Sequence, residues 1–570
     1  MMADNMYRVE RESDLHGFLA AGNLRIDCLG EIRDMGVCAQ YNHLLNKFPG
    51  DQVFLDEEKR ISFLDGYIYN KDAVCGNGAE DWQHIFARAM GEDAAKCLRM
   101  LRGGFCGYIY NKRNGDLTIY TDQLSAKAVY YYTNGDRWMV SSHLPYMIAV
   151  LRENELKYHL NETAVKYMLT YGYMLDDSTF VEEIHRLLPG QLVHIVNGQV
   201  KPERYYFIRN KEVRMTQQEA VEKIDAAFRE AIRREFDKDR EYGYRHLTDL
   251  SGGLDSRMVS WVAHDMGYTD QVNVTYGRSD YLDEKISKKI AVYLKHEYLF
   301  KALDDANWMY DIDEIISRNN GAALYSGITG GSRLLGLLDT DCFGIEHTGM
   351  IGDAVLSTFY HDRQLNFGPP RLGLNKYSEM LTYQFDKRII KEYPCQEMFA
   401  IYTRGMLGAM SSYIIRQHDL EPSSPFTDVD FLEVSYSIPF EYRDKHVIYL
   451  KWMSDKYPEA TKFGWEKWGG VKPRADHIFF RKVKTTQRLL RQMGCRAFGL
   501  PNSDSMNPED YWYQKDQKIQ KYYQEYFMQN IDYGVLNQNL KRDISQMFQE
   551  GNVTEKDMAL TVLAVVKAYF

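Results

Sequence analysis

Two patterns of apolar and polar positions divide the chain. In the first part apolar residues alternate in short runs broken by turn residues. The runs 51–56 and 60–70 alternate and carry β-branched or aromatic residues, as strands do. The runs 104–110 and 116–120 do the same, and Asn114-Gly115 between them predicts a hairpin. A helix is expected over 81–100. In the second part the period changes. Thr216-Gln217-Gln218-Glu219 is a capping-box pattern, opening a helix over 220–236. A strand-like run at 245–250 meets a glycine turn. Met258, Val259, Val262 and Met266 then predict a helix over 256–266. The run 271–277 reads as a second buried strand, 283–294 as a helix with Ile286, Ile290 and Leu294 on one face, and 296–300 as the start of a further strand. Strands alternating with helices predict a parallel sheet with right-handed crossovers. From Ile478 onward the chain reads as polar helices (487–496, 511–530, 540–548), with a surface loop at 502–508. The run 558–570 is apolar but too short for a membrane span, and reads as a packed terminal helix.

The turn after the 245–250 strand carries the most informative chemistry: Leu250, Ser251, Gly252, Gly253, Leu254, Asp255, Ser256. Strand, glycine turn and helix start form a cradle for phosphate, because free N–H groups at a helix N-terminus point at an anion. No Gly-Lys-Ser/Thr follows, so this is not a Walker A loop, and G-x-G-x-x-G is missing too. A carboxylate beside phosphates repels them unless Mg²⁺ lies between, so Asp255 reads as a metal ligand. The plainer alternative is a tight turn with Ser251 or Asp255 capping the helix.

The stretch from Ser251 to Ser256 resembles the pyrophosphate loop of the ATP-pyrophosphatase superfamily, and with its flanks it resembles the asparagine synthetase family. Such enzymes adenylate a carboxylate with ATP, release pyrophosphate, and let an amine attack. The resemblance implies that Leu250, Val274 and Gly277 hold the adenosine, largely through backbone groups. A second stretch, Thr348-Gly349-Met350-Ile351-Gly352-Asp353-Ala354, is similar to the family's S-G-E-G-A-D-E loop. Thr348 and Gly349 would contact phosphate, and Asp353 would share Mg²⁺ with Asp255. Met350 stands where asparagine synthetases carry Glu, and Met cannot act as a general base. Lys467, in a Trp-x-x-Lys pattern, is the first choice for the lysine that meets charge developing during acyl transfer, with Lys472 the runner-up. Glu421, in Glu421-Pro422-Ser423-Ser424-Pro425-Phe426, reads as structural.

The first part resembles the family's glutaminase domain, an αββα fold. Asp65-Gly66-Tyr67-Ile68-Tyr69-Asn70 is similar to F-N-G-E-I-Y-N. The stretch from Gly104 through Asp122, Lys127 and Tyr130-Tyr131 follows G-x-F-A … R-D-x-x-G-x-K-P-L-Y-Y. Family glutaminases use an N-terminal Cys as nucleophile. Position 2 here is Met, and Tyr67 replaces the family's Glu. The expectation is a glutaminase fold retained without its activity, similar to β-lactam synthetases, lasso-peptide cyclases and polysaccharide-cluster homologues.

Composition narrows the rest. Of 570 residues 45% are apolar, enough for ordinary cores, and the net charge of −10 argues against a nucleic-acid partner. The eight Cys are scattered without a C-x-x-C pair, which indicates neither zinc nor a redox motif. Residues 1–12 show no apolar signal-peptide core, and no run approaches a membrane span. The expectation is therefore a cytoplasmic α/β protein: an Ntn-hydrolase-like αββα domain over 1–205, then a parallel-sheet, Rossmann-like ATP-pyrophosphatase domain over 206–570 with a helical C-terminal part. It would use ATP and Mg²⁺ to join a small-molecule, sugar or peptide carboxylate to an amine or ammonia, without a nucleic-acid or membrane partner, as a possible homodimer. The rivals are an impaired homologue acting as a binding scaffold, asparagine synthesis from free ammonia, and thiolation of RNA, which the acidic charge opposes.

Overall fold

The computed structural model describes residues 15–76, 81–327, 329–474, 478–497 and 503–570. Residues 1–12 and Asn502, on which expectations were placed, lie outside them. Among the described residues twelve strands build the first part: β1 Gly17–Gly22, β2 Ile32–Asp34, β3 Ala39–His43, β4 Val53–Asp56, β5 Arg60–Ile68, β6 Gly103–Asn111, β7 Leu117–Thr121, β8 Tyr130–Asn134, β9 Arg137–Ser141, β10 His185–Arg186, β11 Gln191–Val196 and β12 Gln199–Arg204. They form two antiparallel sheets, ordered β10-β8-β9-β1-β3-β2 and β12-β11-β7-β6-β5-β4. Phe18 and Val140 of one sheet share a core with Phe63, Tyr108 and Ile119 of the other, so the sheets lie face to face. The helix Trp82–Met100 covers the outside of the second sheet, and the helices Leu144–Glu153 and Glu162–Tyr171 cover the first. The layers are αββα.

The second part is built on a five-stranded sheet, β15-β14-β13-β16-β17, with every pair parallel. Its strands are β13 Arg245–Asp249, β14 Gln271–Gly277, β15 Glu297–Ala302, β16 Phe343–His347 and β17 Glu421–Ser423. The helix Gln217–Tyr242 precedes it. Thr216 caps that helix in a complete capping box with Glu219, and Val221, Ile224, Phe228, Ile232 and Phe236 face the core at three- and four-residue spacing.

The C-terminal helices Gln517–Asn530, Gln538–Glu550 and Val553–Tyr569 return to the N-terminal part and share one apolar core with Val165, Tyr167 and Met168. Val553–Tyr569 is apolar around most of its circumference and is buried accordingly. Residues 503–508 depart from the surface loop expected there. They lie half-buried or buried over the end of β14, where Arg278 N–H donates to Met506 O at 2.8 Å. Among the described residues no helix is both long and apolar enough to cross a membrane.

Candidate functional site

Both glycine loops stand at the carboxyl ends of parallel strands, 251–254 after β13 and 348–351 after β16. Because β14 and β16 flank β13 on opposite sides, the loops border the crevice where strand order reverses, the usual ligand position in open parallel sheets.

The first loop presents its amides to side-chain oxygens. Ser251 N–H donates to Ser256 Oγ (3.0 Å), Gly252 N–H to Asp283 Oδ1 (2.9 Å) and Gly253 N–H to Ser251 Oγ (3.1 Å). A carboxylate is thus already seated on the loop, which fits a phosphate cradle. Burial pushes the Asp283 carboxyl up to about 6, against the pull of Gly252 N–H.

Asp255 opens the helix Asp255–Asp265. Its Oδ2 accepts from Asp353 N–H at 3.0 Å and its Oδ1 from the Tyr449 hydroxyl at 2.8 Å. Burial, then the charge of Asp353, pushes its carboxyl up to about 7, with Tyr449 and Lys467 opposing. Two neighbouring carboxylates, one of them desolvated, are a donor set that a hard divalent cation fits. The close approach needs glycine. A Cβ on Gly349 would lie 2.4 Å from Ser256 N, and one on Gly352 would lie 2.7 Å from Asp255 Cγ.

Lys467 Nζ lies 3.7 Å from Asp353 Oδ2. Its turn is fastened to the first loop, since Glu466 N–H donates to Gly252 O at 3.0 Å. Arg257 reinforces this link. Fully buried, its guanidinium reaches the carbonyls of Gly252 (3.3 Å), Ala460 (3.2 Å), Phe463 (3.4 Å) and Gly464. Among the described residues it pairs with no carboxylate, and burial pulls its pKa down to about 10.

A cavity of about 500 Å³ opens beside Asp353, lined by Met350, His361, Arg404, Trp465 and Lys467 among others. Lys472 is exposed and not among the lining residues. Arg404 projects from a π-helix, Ile401–Gly408, a form frequent at functional sites. Ile351, Lys445 and His446 also line the cavity and carry φ of +55°, +53° and +65°. Such strain costs on the order of 1–3 kcal/mol per residue and gathers at functional sites. His361 Nδ1 lies 2.6 Å from Asp444 Oδ1.

The remaining residues expected here are more enclosed. Leu250 and Val274 are each 1% exposed. Leu250 N–H donates to Val274 O, and Leu250 O accepts from the Thr275 hydroxyl. A Cβ on Gly277 would lie 2.6 Å from Met506 Cγ. The Thr348 hydroxyl is buried between Tyr413 and Ser423 O. Glu421 lies 2.7 Å from Lys127 Nζ, which also reaches Asp65 at 3.0 Å, in a buried cluster joining the two parts. Tyr67 is buried and fills the space over Gly104. Sequence reading missed Arg257, Asp283, Tyr449 and the His361–Asp444 pair. Only Asp283 carried a signal, as an acid at a helix start beyond a glycine-ended strand.

An α/β protein with facing antiparallel sheets and a parallel-sheet ligand crevice is the class these features define. Residues 50–206 match the glutamine amidotransferase domain family. Over 228 residues, 38% of this chain, the sequence is 24% identical to asparagine synthetase [glutamine-hydrolyzing] 2 of Methanocaldococcus jannaschii, covering 43% of it. Over 256 residues, 44% of this chain, it is 23% identical to asparagine synthetase [glutamine-hydrolyzing] 1 of Bacillus subtilis, covering 38% of it. The chain spans about two fifths of the length of the curated relatives it matches (43% and 38%). Over these stretches the chain is similar to asparagine synthetases. Among solved structures, a glutamine phosphoribosylpyrophosphate amidotransferase from B. subtilis complexed with ADP and GMP overlaps with a TM-score of 0.22 and 10% identity, over 50% of this chain and 60% of that one.

Proposed function

We propose that the chain is an ATP- and Mg²⁺-dependent synthetase. It adenylates a carboxylate, joins it to an amine or ammonia, and releases AMP and pyrophosphate. The observation that carries this reading is the meeting of two glycine loops that set Asp255 and Asp353 together, with Lys467 at the edge of an adjoining cavity. Asp255 and Asp353 would hold the ion, which when bound supplies positive charge between carboxylates and phosphates. The amides of Ser251, Gly252 and Gly253 would take phosphate oxygens in place of Asp283 and the serine hydroxyls. Lys467 would meet the negative charge that develops during transfer. Met350 lines the cavity and offers no base. His361, with Nδ1 held by Asp444, supplies an imidazole there to take the amine's proton.

The amine would not be made from glutamine in this chain. That reading is supported by Tyr67, which stands where the family has Glu, and by Asp65, drawn into the buried cluster with Lys127 and Glu421. The test is pyrophosphate release from ATP–Mg²⁺ across a panel of carboxylates, with ammonium or glutamine added, beside Asp255→Asn. Carboxylate-dependent release that the variant abolishes, raised by ammonium and not by glutamine, is the expected result. ATP binding without release for any acid would favour the scaffold reading instead.

A further inference from the structure

The π-helix Ile401–Gly408 runs through the interior. Seven of its eight residues are buried, and Arg404 alone is exposed, on the wall of the cavity of about 500 Å³ beside Asp353. Gly405 and Ala409 line the cavity next to it and leave its side chain room. Arg404, Lys445 and Lys467 are the full cations on this wall among the described residues, and Asp353 is the one acid. Two of the cations are answered. Lys467 Nζ lies 3.7 Å from Asp353 Oδ2, and Lys445 Nζ lies 3.6 Å from Asp444 Oδ2. Among the described residues the Arg404 guanidinium has neither an ion pair nor a hydrogen bond. The Thr358 hydroxyl, on the same wall and 8% exposed, has no hydrogen-bond partner among them either. An interior element thus presents a single uncompensated cation to a cavity. A guanidinium fork matches the paired oxygens of a carboxylate or a phosphate.

We infer that the acid activated at this site carries a second anionic group, a carboxylate or a phosphate, which Arg404 grips, and carries no ammonium. The inference rests on the synthetase reading and names its substrate class. The cavity falls in the usual range for ligand pockets, roughly 300–1,000 Å³, so the second group can stand well away from the reacting carboxyl. An α-amino acid would bring a positive charge beside Arg404, Lys445 and Lys467. Asp353, the acid on this wall that could answer it, is the proposed metal ligand. Aspartate is disfavoured on that ground, because its two carboxylates come with an ammonium. The phosphates of ATP are a rival occupant for Arg404, but the amides of the first loop already provide for them.

The test is ligand-observed NMR titration of the full chain, with Mg²⁺ and the ATP analogue that carries a methylene between the α- and β-phosphates, at constant ionic strength. The acids are the straight-chain diacids from succinate to suberate, the monoacids of equal length, the ω-phosphono acids, and the 2-amino diacids from aspartate to 2-aminosuberate. The tightest diacid or phosphono acid should bind about 10–100-fold more tightly than its monoacid, and the amino group should remove most of that gain. Comparing the diacid and phosphono arms tells which anion Arg404 takes. Arg404→Met should erase the advantage, Arg404→Lys should restore part of it, and both should bind the ATP analogue as the parent does. Equal binding of diacids and monoacids, an advantage that survives Arg404→Met, tighter binding of the amino diacids, or weakened nucleotide binding in Arg404→Met would each overturn the inference. Pyrophosphate release from ATP–Mg²⁺ with the same acids separates it from the reading beneath it. Release without preference for a second anion would overturn the inference and keep the synthetase. Arg404-dependent diacid binding without release for any acid would remove the synthetase and leave the anion site standing.

Discussion

A Cβ on Gly349 would lie 2.4 Å from Ser256 N and 2.7 Å from the Asp255 carbonyl carbon, both backbone atoms that cannot swing aside. Gly349→Ala should therefore push the two loops apart. Overpacking of this kind costs about 1–3 kcal/mol, and pyrophosphate release should fall much further than the melting temperature. Activity and a thermal melt on one preparation check both halves; an active Gly349→Ala protein would show that the loops need not meet. His361 makes a second residue-level prediction. If His361 takes the amine's proton, His361→Gln should leave carboxylate-dependent exchange of pyrophosphate into ATP intact and slow amide formation by about 10²–10⁴-fold. Equal loss in both assays would give His361 a role in binding instead. These residues differ in how far sequence alone reveals them. Ser251 to Ser256 is a contiguous stretch whose spacing states its chemistry. Tyr449 lies 194 positions from the Asp255 carboxylate it bonds, and no local pattern announces such a partner.

Elements were legible where their signals are local. The β6–β7 hairpin turns at Asn114-Gly115, and each strand lies within a residue or two of its expected bounds. The capping box at Thr216 is present with both of its hydrogen bonds. Thr216→Ala should cost about 1 kcal/mol, because it leaves a first-turn amide of Gln217–Tyr242 unbonded. Denaturant unfolding with an unchanged m-value would read that loss directly. The helix runs six residues past its expected end at 236, to Tyr242, where Gly243 at φ +76° stops it. The extension carries Lys238 and Asp239 into buried polar contacts, so charged residues that look like a solvated ending are interior. Residues 503–508 were misread for a related reason. Their Ser, Asn and Pro composition favours a turn, but composition does not say what the turn covers.

At the scale of the whole molecule, the two parts are joined partly by uncharged histidines. His16 Nδ1 lies 2.8 Å from His418 O, His143 Nε2 lies 2.8 Å from His16 O, and the His143 and His418 rings stack with centres 5.0 Å apart. Burial pulls the pKa of His143 from 6.5 to about 4, and burial lowers His16 and His418 as well. The unfolded chain binds these protons near pH 6.5, while the folded protein resists them. The stabilisation is therefore complete above about pH 6.5 and lost as pH falls towards 4. Melting temperatures should drop across that window, and His143→Asn should flatten the drop while lowering stability at neutral pH. A parental melt independent of pH between 6.5 and 4 would contradict the arrangement.

Arg257 has a mechanical consequence. Its guanidinium holds Gly252 of the phosphate loop and the carbonyls of Ala460, Phe463 and Gly464 in one grip, and Glu466 N–H holds Gly252 again. Moving Lys467 away from that loop would break the hydrogen bonds that satisfy this buried cation. The first loop and the lysine turn must therefore travel as one rigid jaw. The opposing jaw is the second loop, which reaches the first through the Asp353 amide and through glycines pressed against Asp255. Opening the crevice is then a matter of parting at residues 349–353, and the strained hinge-like backbone of Ile351 sits in the middle of that seam.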